Sequence, residues 1–395
     1  MNGVLAGLLG LLALIVLPPV LLLLVQVLLA CLPTRAQPIG KGARPQLAVL
    51  VPAHDEASMI TATLASITPQ LQPGDRLLVV ADNCTDHTAQ LAREAGAEVL
   101  ERVDARLRGK GYALDFGVRQ LALQPPQVVI VVDADCRVEA GAIERLARRY
   151  AEVARPVQAL YLMHAPAGAG LKVQVAAFAW QVKNLVRPRG WARLGLPCQL
   201  MGSGMAFGWP DLAAVDLANG HLVEDVKLGL DLCQQGKPPV FCPEAVVSSQ
   251  FPASQQGLAS QRTRWEHGHL GLILSDAPRR ALVAITQRNG RLLAMALDLL
   301  VPPLALLVLA LLGLNLVAWL AYLLFDVAAP AWLALFALAV LGLAVVLAWA
   351  RFCRALIPFS VLLYAPFYAA RKVPLYLGFL LRRQVEWVRS KRDED

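Results

Sequence analysis

The chain has 395 residues, of which 57% are hydrophobic and only 17% are charged, and its mean hydropathy is +0.52. These values exclude an ordinary soluble enzyme, which is less apolar, and also a plain bundle of membrane helices, which carries less charge. The net charge of +8 lies mainly beside apolar segments and in the tail, and no DNA- or RNA-binding motif accompanies it. We therefore expect the basic residues to meet anionic lipid headgroups, and we expect no nucleic-acid partner.

Three segments are long and apolar enough to cross a bilayer, which takes about 20 residues. They are Gly3 to Leu32, about Leu297 to Leu324, and Ala331 to Ala350. The single charge inside them is Asp298. A further apolar stretch, Ala355 to Leu381, is interrupted by Arg371 and Lys372, so we expect it to be interfacial or re-entrant, with a fourth span as the alternative.

The first apolar segment has an alternative interpretation as a cleaved secretory signal, because residues 28–31 read Leu-Leu-Ala-Cys, as at a lipoprotein cleavage site. It lacks a basic start and is longer than such signals, so a retained anchor is expected. Seven cysteines, an odd number without a Cys-x-x-Cys pair, indicate neither a disulfide framework nor a zinc site and fit a reducing compartment.

Basic residues follow the first span, the third span and the last apolar stretch, and cytoplasmic flanks are enriched in such residues. They are Arg35, Lys41, Arg44, Arg351, Arg354, Arg382, Arg383, Arg389, Lys391 and Arg392. We expect a multi-pass protein of the inner (plasma) membrane whose N-terminus faces outward. Its predicted parts are a transmembrane helix over 1–32, a linker over 33–45, a cytoplasmic domain over 46–290, two transmembrane helices over 291–354, and an interfacial or re-entrant segment with a basic tail over 355–395.

Between the spans, short β-rich apolar runs alternate with helical patterns, which predicts a parallel α/β sheet. The predicted strands are 47–51, 76–81, 98–101 and 128–132, and the predicted helices are 57–67, 85–95, 110–121 and about 168–181. Polar residues follow three of the strands, namely His54, Asp55, Glu56, Asp82, Asn83, Asp133 and Asp135. Ligands bind at the carboxyl ends of strands in open α/β sheets, so one pocket is predicted there. The less regular half after residue 168 is expected to hold the acceptor.

Asp133-Ala134-Asp135 follows the most apolar strand, so its two carboxylates can share a divalent cation with a diphosphate. Such a triplet alone is more often a solvated turn, but the strand end and the neighbouring acidic clusters favour a site. Asp82 ends the second strand and is aimed at a nucleotide base, whereas Thr85 and Asp86 are expected to start the next helix.

Lys110 belongs to an Arg108-Gly109-Lys110-Gly111 turn that combines cations and backbone amides before a helix. Such a turn can bind an anionic oxygen, and a basic turn on the protein surface is an equally good interpretation. Glu224 and Asp225 begin another helix, where acids often only complement the helix dipole. An aspartate held near a metal also suits a general base, and Asp225 is the candidate.

Gln261, Arg264 and Trp265 fall at i, i+3 and i+4 and therefore share one helical face. Arg264 can pair with a diphosphate, Gln261 can hold a hydroxyl, and Trp265 presents a flat apolar surface to a sugar ring. The alternative is an amphipathic helix lying on the membrane surface. His267 and His269 are weaker candidates for contact with the metal.

Taken in order, these motifs resemble the membrane-bound family 2 glycosyltransferases, the group that contains cellulose, chitin and hyaluronan synthases. The resemblance rests on residues 51–56 (Val-Pro-Ala-His-Asp-Glu), Asp82, Lys110-Gly111, Asp133-Ala134-Asp135, Gly202-Ser203-Gly204, Glu224-Asp225 and Gln261-x-x-Arg264-Trp265. It covers about Leu47 to His269. His54-Asp55 stands where many members have Asn before Glu, so Glu56 matches the motif better than its two neighbours.

The resemblance implies a GT-A fold, an α/β domain for nucleotide-diphospho-sugar transfer, here with transmembrane helices at both ends. It implies a UDP-sugar donor, Mg²⁺ or Mn²⁺ as cofactor, and inversion at the anomeric carbon by direct displacement. Asp225 would be the catalytic base, and Asp135 would bind the metal. The donor would be bound by Pro52, Glu56, Asp82, Lys110, Asp133 and Asp135. The diphosphate and acceptor would be held by Glu224, Gln261, Arg264 and Trp265.

The chain is short for a polymer synthase with its own channel, so we expect an enzyme that adds a sugar to a lipid-linked glycan for exopolysaccharide or another surface glycan. Partners that export polysaccharide are a further expectation. One alternative is a small processive polysaccharide synthase. An alternative of another class is a transport or scaffold protein with a degenerate α/β domain. Two observations disfavour it: every acidic cluster is present, and the spans lack the paired charges that are usual in transport pathways.

Overall fold

The computed structural model of the protein describes residues 2–33, 42–252 and 255–381. Most of the predicted linker and several predicted flanking cations therefore lie outside the described residues. These cations are Arg35, Lys41, Arg382, Arg383, Arg389, Lys391 and Arg392.

A single sheet of eight strands forms the centre of the described structure. Its strands are β1 (Leu47–Ala53), β2 (Arg76–Asp82), β3 (Glu98–Arg102), β4 (Val128–Val131), β5 (Arg137–Val138), β6 (Val157–His164), β7 (Met205–Gly208) and β8 (Val240–Gln250). They lie in the order β3, β2, β1, β4, β7, β6, β8, β5. The four strands from β3 to β4 pair in parallel, as predicted, but β7 is antiparallel to both its neighbours and β5 is antiparallel to β8. The sheet is therefore mixed.

Strand β1 shows why the sheet needs helices on both faces. All seven of its residues are buried. Side chains alternate across a strand, so Leu47, Val49 and Val51 enter one hydrophobic cluster while Ala48 and Leu50 enter the other. A strand buried on both sides reads as a continuous apolar run, as residues 47–51 do.

Seventeen α-helices lie within the described residues. They are α1 (Asn2–Cys31), α2 (Ile60–Ile67), α3 (Thr88–Glu94), α4 (Lys110–Leu121), α5 (Ala142–Val153), α6 (Leu171–Gln181), α7 (Arg187–Arg193), α8 (Trp209–Ala213), α9 (Glu224–Gln234), α10 (Gln255–Ser275), α11 (Ala277–Thr286), α12 (Gly290–Leu299), α13 (Leu304–Phe325), α14 (Ala328–Ala348), α15 (Phe359–Leu363), α16 (Ala365–Ala370) and α17 (Val373–Leu381). A π-helical turn, Val182–Val186, joins α6 to α7, and a second one, Trp349–Cys353, extends α14.

Two helices begin later than the sequence pattern suggests. Helix α2 starts at Ile60, and α3 starts at Thr88 with no side-chain cap at its N-terminus. The prediction that Thr85 caps α3 is wrong, because Thr85 donates its backbone N–H to Asp55 Oδ1 at 2.6 Å. Asp86 does help to start α3, since its Oδ1 accepts the Thr88 N–H at 2.9 Å. Asp86 thus supplies the local acceptor for α3, while Asp55 from the loop after β1 binds the N–H of Thr85.

Three helices in the described structure are long and apolar enough to cross a membrane: Asn2–Cys31, Leu304–Phe325 and Ala328–Cys353. The second starts at Leu304, not near Leu297, because α12 is a separate helix that packs with α9 and α11. Asp298 therefore lies before this span. Residues 355–381 form only short helices, α15 to α17, none long enough to span.

Helix α1 is attached to the sheet domain by close packing and by buried polar contacts. Gln26 Nε2 donates to Asp298 Oδ1 at 2.6 Å, and Arg187 Nη2 reaches the same oxygen at 2.9 Å. The backbones of α1 and α7 touch at Gly190, where an added Cβ would lie 2.2 Å from the Gln26 carbonyl oxygen. Backbone atoms cannot rotate away, so only glycine fits.

We predict that Gly190→Ala lowers the melting temperature of the detergent-solubilised protein by several degrees, because overpacking costs about 1–3 kcal/mol. Gly170→Ala is the matched control, since an added Cβ there meets nothing within 4 Å and the residue has a φ of −68°. Thermal unfolding followed by tryptophan fluorescence would measure both. Equal melting temperatures for the two variants would contradict the packing argument.

Candidate active site

The acidic clusters predicted at three strand ends do meet at one edge of the sheet. Strands β1, β2 and β4 are parallel, so their carboxyl ends share that edge. A cavity of about 210 Å³ opens there. Its walls include every residue that the sequence motifs predicted for the site: Pro52, Glu56, Asp82, Lys110, Asp133, Asp135, Glu224, Asp225, Gln261, Arg264 and Trp265.

Lys110 lies at the centre of the cavity, at the first position of α4. Its ammonium contacts Asp133 Oδ1 in a short ion pair, donates to the Gly202 carbonyl oxygen at 2.7 Å, and lies 3.8 Å from Glu224 Oε1. The surrounding carboxylates raise the pKa of Lys110 although burial acts to lower it, so the side chain stays charged. Of the two interpretations of the Arg108 to Gly111 turn, the basic surface turn is excluded for Lys110.

The Gly202-Ser203-Gly204 turn supports the floor of the cavity. Strand β7 is antiparallel to β4, so it begins at the edge where β4 ends. Ser203 Oγ accepts the Asp133 N–H at 3.0 Å, and Gln158 Nε2 donates to the Ser203 carbonyl at 2.9 Å. Gly202 has a φ of +90°, and a Cβ there would lie 3.4 Å from Asp225 Oδ2. Glycine thus keeps the floor open between the acids.

Asp133 and Asp135 offer carboxylate oxygens that lie, with the Cys136 sulfur, within 4.8 Å of one another. Burial raises the pKa of the Cys136 thiol well above its usual value, so it stays protonated and is a poor ligand. Two hard carboxylates remain, which suit Mg²⁺ or Mn²⁺. Ser249 Oγ, 3.5 Å from Asp135 Oδ2, orients the second of them.

The acids outnumber the cations around this cavity. Burial raises the pKa of Asp133, an effect that Lys110 opposes and that repulsion from Asp135 strengthens. Burial likewise raises the pKa of Glu224 to about 7, again against the charge of Lys110 and with repulsion from Asp225. Crowded carboxylates with raised pKa values are stabilised by a further positive charge. The residues present therefore fit a divalent cation.

Glu224 and Asp225 form the first turn of α9, as the sequence indicated. A structural role as complements of the helix dipole is compatible with this position, but both side chains also line the cavity. Asp225 faces Gly202 and lies near the ion pair of Lys110 and Asp133. The geometry brings the candidate base to the same space as the candidate metal ligands.

The cavity is also lined by three side chains of α10, those of Gln261, Arg264 and Trp265. The alternative in which this helix face lies on the membrane surface therefore does not describe these three residues. Gln261 is only 8% exposed, and its Oε1 has no hydrogen-bond partner among the described residues. Burial lowers the pKa of Arg264, while Glu224, Asp133 and Asp135 stabilise its charge. Trp265 packs on Trp180 with ring centroids 4.9 Å apart.

Asp82 is buried at the end of β2, and its carboxylate is already engaged. Arg102 Nη1 donates to Asp82 Oδ1 at 2.6 Å, and His54 Nδ1 donates to the Asp82 carbonyl oxygen at 2.6 Å. Asp82 borders the cavity. Its contact with a nucleotide base stays a prediction. Sequence reasoning missed Arg102, which no local pattern connects to Asp82.

Residues 52–56, at the end of β1 and in the loop that follows it, differ in what their side chains contact. Pro52, His54 and Glu56 border the cavity. Asp55 has a φ of +52° and turns its carboxylate to the backbone N–H groups of Thr85 and Asp86 at 2.6 and 3.3 Å. Asp55 therefore ties two loops together, whereas Glu56 keeps its predicted place at the site.

The two histidines of α10 do not join the acidic cluster in the described structure. His267 Nε2 lies 2.9 Å from the Leu375 carbonyl oxygen of α17. His269 lines the cavity, but its Nε2 faces the Val301 carbonyl oxygen at 3.4 Å. Trp180 and Lys183 also line the cavity and were missed, although a single lysine in the apolar pattern of 173–186 was a usable signal.

The sequence profile of the glycosyltransferase-like family 2 matches residues 45–268, which is more than half of the chain. This chain belongs to glycosyltransferase family 2. The matched range contains every motif residue that lines the cavity and ends one residue before His269, the weaker candidate.

Individual relatives are similar over shorter stretches or in fold. YdaM of Bacillus subtilis (strain 168), a probable glycosyltransferase, is 25% identical over 253 residues, which are 58% of this chain and 56% of the relative. The chain thus spans little more than half the length of that curated relative. The 4,4'-diaponeurosporenoate glycosyltransferase of Staphylococcus aureus (strain USA300) is 34% identical over 108 residues, which are 26% of this chain and 28% of that protein.

Among solved structures, the mannosyltransferase PcManGT from Pyrobaculum calidifontis, in complex with GDP-Man and Mn²⁺, has a TM-score of 0.57. It is 17% identical, and the match covers 97% of this chain and 100% of the mannosyltransferase. At this identity the likeness concerns the fold. It confirms the predicted GT-A α/β fold with apolar helices at both ends.

His269 gives the site a predictable pH response. Burial, together with the charges of Lys183 and Arg187, lowers its pKa from 6.5 to about 3. Between these values the unfolded chain binds a proton that the folded protein does not. The stability linked to His269 is therefore fully present above pH 6.5 and is lost as the pH falls toward 3.

We predict that His269→Gln reduces the drop in melting temperature between about pH 7 and about pH 5, because the variant has no imidazole to protonate on unfolding. His87→Gln, at an exposed position, is the control and should keep the drop of the wild type. Thermal unfolding at both pH values measures the difference. An unchanged drop in His269→Gln would show that His269 is not the linked group.

Proposed function

We propose that this protein is an inverting glycosyltransferase that moves a sugar from a UDP-sugar to a lipid-linked glycan acceptor, with Mg²⁺ or Mn²⁺ as cofactor. The observation that carries the proposal is the convergence of Asp133, Asp135 and Asp225 with Lys110 and Arg264 around one cavity. Carboxylates for a metal, cations for a diphosphate and a candidate base are the parts that sugar transfer requires.

The donor would lie along the carboxyl ends of β1, β2 and β4. Pro52, Glu56 and Asp82 border the end of the cavity proposed for the nucleoside. Lys110 and Arg264 are the charged groups suited to the diphosphate, and Asp133 and Asp135 would hold the metal. When bound, the divalent cation would supply positive charge beside the diphosphate.

In the proposed reaction, Asp225 accepts the proton of an acceptor hydroxyl as that oxygen attacks the anomeric carbon. The bond from the anomeric carbon to the diphosphate oxygen breaks, and the nucleoside diphosphate leaves with the electron pair. Arg264 and Lys110 stabilise the charge that develops on the leaving group. Gln261 Oε1, buried without a described partner, is suited to accept a hydrogen bond from a sugar hydroxyl. Trp265 offers the sugar an apolar surface.

The proposed location is the inner (plasma) membrane, with the sheet domain in the cytoplasm beside its nucleotide donor. The three apolar helices support it by length and composition. Exopolysaccharide or surface-glycan synthesis, together with export partners, remains the expected setting. Processive synthesis is the alternative, and product length separates the two.

The identity of the donor nucleotide can be tested directly, because the relatives suggest more than one candidate. The mannosyltransferase of similar fold is bound to GDP-Man and Mn²⁺, whereas the sequence resemblance implies UDP. Both UDP- and GDP-sugars should therefore be supplied to the purified full-length protein with Mn²⁺ and a membrane lipid extract. Release of UDP from one sugar is the expected result.

We predict that Asp225→Asn lowers turnover by about a hundredfold to ten-thousandfold while the donor concentration at half-maximal rate changes little, because the amide cannot accept the proton. Asp115→Asn, which removes a surface ion pair with Arg119 on α4, is the matched control. The release of nucleoside diphosphate measures both. Full turnover in Asp225→Asn would remove this residue from the mechanism.

A second prediction concerns the metal. Asp135→Ala should weaken Mn²⁺ binding, measured by electron paramagnetic resonance of the free ion, because one of two hard ligands is lost. Cys136→Ala should leave the affinity unchanged, since the buried thiol stays protonated. Equal Mn²⁺ affinity in wild type and Asp135→Ala would move the metal away from these carboxylates.

A further inference from the structure

A second cavity of about 180 Å³ adjoins the proposed donor site. The two cavities share Trp180, Lys183, Trp265 and His269 as a common wall. Most other residues that line the second cavity are apolar. A molecule that occupies it would therefore reach the site of sugar transfer with one end only.

The second cavity is lined by the helices that are apolar and long enough to cross a membrane. Leu23 of α1, Val308 of α13 and Val345 of α14 contribute to its wall. Phe178 of α6 and Leu362 of α15 line other parts of it. Such a site suits a hydrocarbon chain, which gains about 0.8 kcal/mol for each buried methylene group.

Only some of the cations that line this cavity form an ion pair with a carboxylate. Arg187 contacts Asp298 at 2.9 Å, and Lys372 contacts Glu266 in a short ion pair. Lys183 and Arg262, in contrast, have no carboxylate oxygen within 4 Å among the described residues. Arg262 lies over the Tyr368 ring, 5.6 Å from its centroid, and does not border the first cavity, so Lys183 is the cation of the shared wall. Its described neighbour is the Trp180 ring, whose centroid lies 5.4 Å away.

The position of Lys183 in the chain explains how a charge enters this wall. It lies in the π-helical turn Val182–Val186, where the wider turn shifts the helical face between α6 and α7. Turns of this kind occur often at functional sites. Its side chain is accessible from the shared space. The apolar surroundings lower the pKa of Lys183, and the charge of Asp225 opposes this effect. The shared wall thus offers one cation without a counterion beside the candidate base.

We propose that the lipid-linked acceptor is anchored through a phosphate: its hydrocarbon chain occupies the second cavity, and the phosphate that links this chain to the glycan pairs with Lys183 at the junction. This assignment of the acceptor rests on the proposed glycosyl transfer, whereas the lipid phosphate site itself does not. An uncharged lipid would leave Lys183 without a counterion. A water-soluble sugar acceptor would leave the apolar cavity without a ligand.

The charge requirement is tested by binding of lipid probes to the purified full-length protein in detergent, measured by native mass spectrometry. The probes are a polyprenyl monophosphate, the polyprenol of the same length, phosphatidylglycerol and inorganic phosphate. We expect the polyprenyl phosphate to bind best and Lys183→Ala to weaken it about tenfold, as for one lost charge-assisted hydrogen bond. Lys183→Arg should retain binding, and Lys172→Ala, an exposed lysine on α6 outside both cavities, should match the wild type.

Several outcomes would overturn the proposal. Equal binding of polyprenol and polyprenyl phosphate would show that the phosphate is not recognised. Unchanged binding in Lys183→Ala would remove Lys183 from the site. Equal binding of phosphatidylglycerol would identify a general lipid site in place of an acceptor site.

Binding of the lipid's hydrocarbon chain in the second cavity is tested by a pair of variants on α13. Ala305→Trp should fill the cavity and abolish binding of polyprenyl phosphate, whereas Leu312→Trp, on the same helix but outside the cavity, should not. Equal lipid binding in the two variants would place the chain elsewhere. Mn²⁺ binding by both variants verifies that the sheet domain remains folded.

Failure of this inference can be told apart from failure of the proposed function. Nucleotide release with a water-soluble sugar acceptor, unaffected by Lys183→Ala, would support glycosyl transfer and overturn the lipid assignment. Lys183-dependent binding of polyprenyl phosphate without nucleotide release from any donor would support the lipid site and overturn the proposed transfer.

Discussion

The buried carboxylate of Asp298 fixes the arrangement on which both cavities depend. It accepts hydrogen bonds from Gln26 of α1 and Arg187 of α7, so the first apolar helix and the sheet domain share one buried ion pair. A buried charge that loses its partner is strongly unfavourable, which makes this joint specific. Gly190 lets the two backbones touch beside it. Because α7 follows the turn that carries Lys183, the joint also sets the wall between the cavities.

Electrostatics then define what the first cavity can hold. Asp133, Asp135, Glu224 and Asp225 crowd around Lys110, and burial adds to their mutual repulsion. Such a site favours ligands that bring positive charge to the acids and negative charge to the cations. A divalent ion with a diphosphate meets both demands. The same crowding explains why the Gly202 turn carries no side chain into this space.

The second cavity is set apart by its surroundings, since its wall is shared between the sheet domain and the apolar helices. The aromatic pair of Trp180 and Trp265 separates a polar chamber from an apolar one. An amphiphilic ligand fits such a boundary because each of its ends finds a matching environment. The proposal that the sugar is transferred at a membrane surface rests more on this pair of adjoining cavities than on any single sequence motif.

The sequence by itself determined the family, the four parallel strands β1 to β4 and the acidic clusters, because these depend on local patterns. Runs such as Val128–Val131 are apolar throughout since both faces are buried, and Asp133 and Asp135 follow the strand end directly. Tertiary structure alone decided that β7 is antiparallel, that Asp298 belongs to α12, and that Lys183 borders both cavities. The physical reason is that ion pairs, strand order and shared walls depend on residues far apart in the chain, which leave no periodic or neighbouring signal.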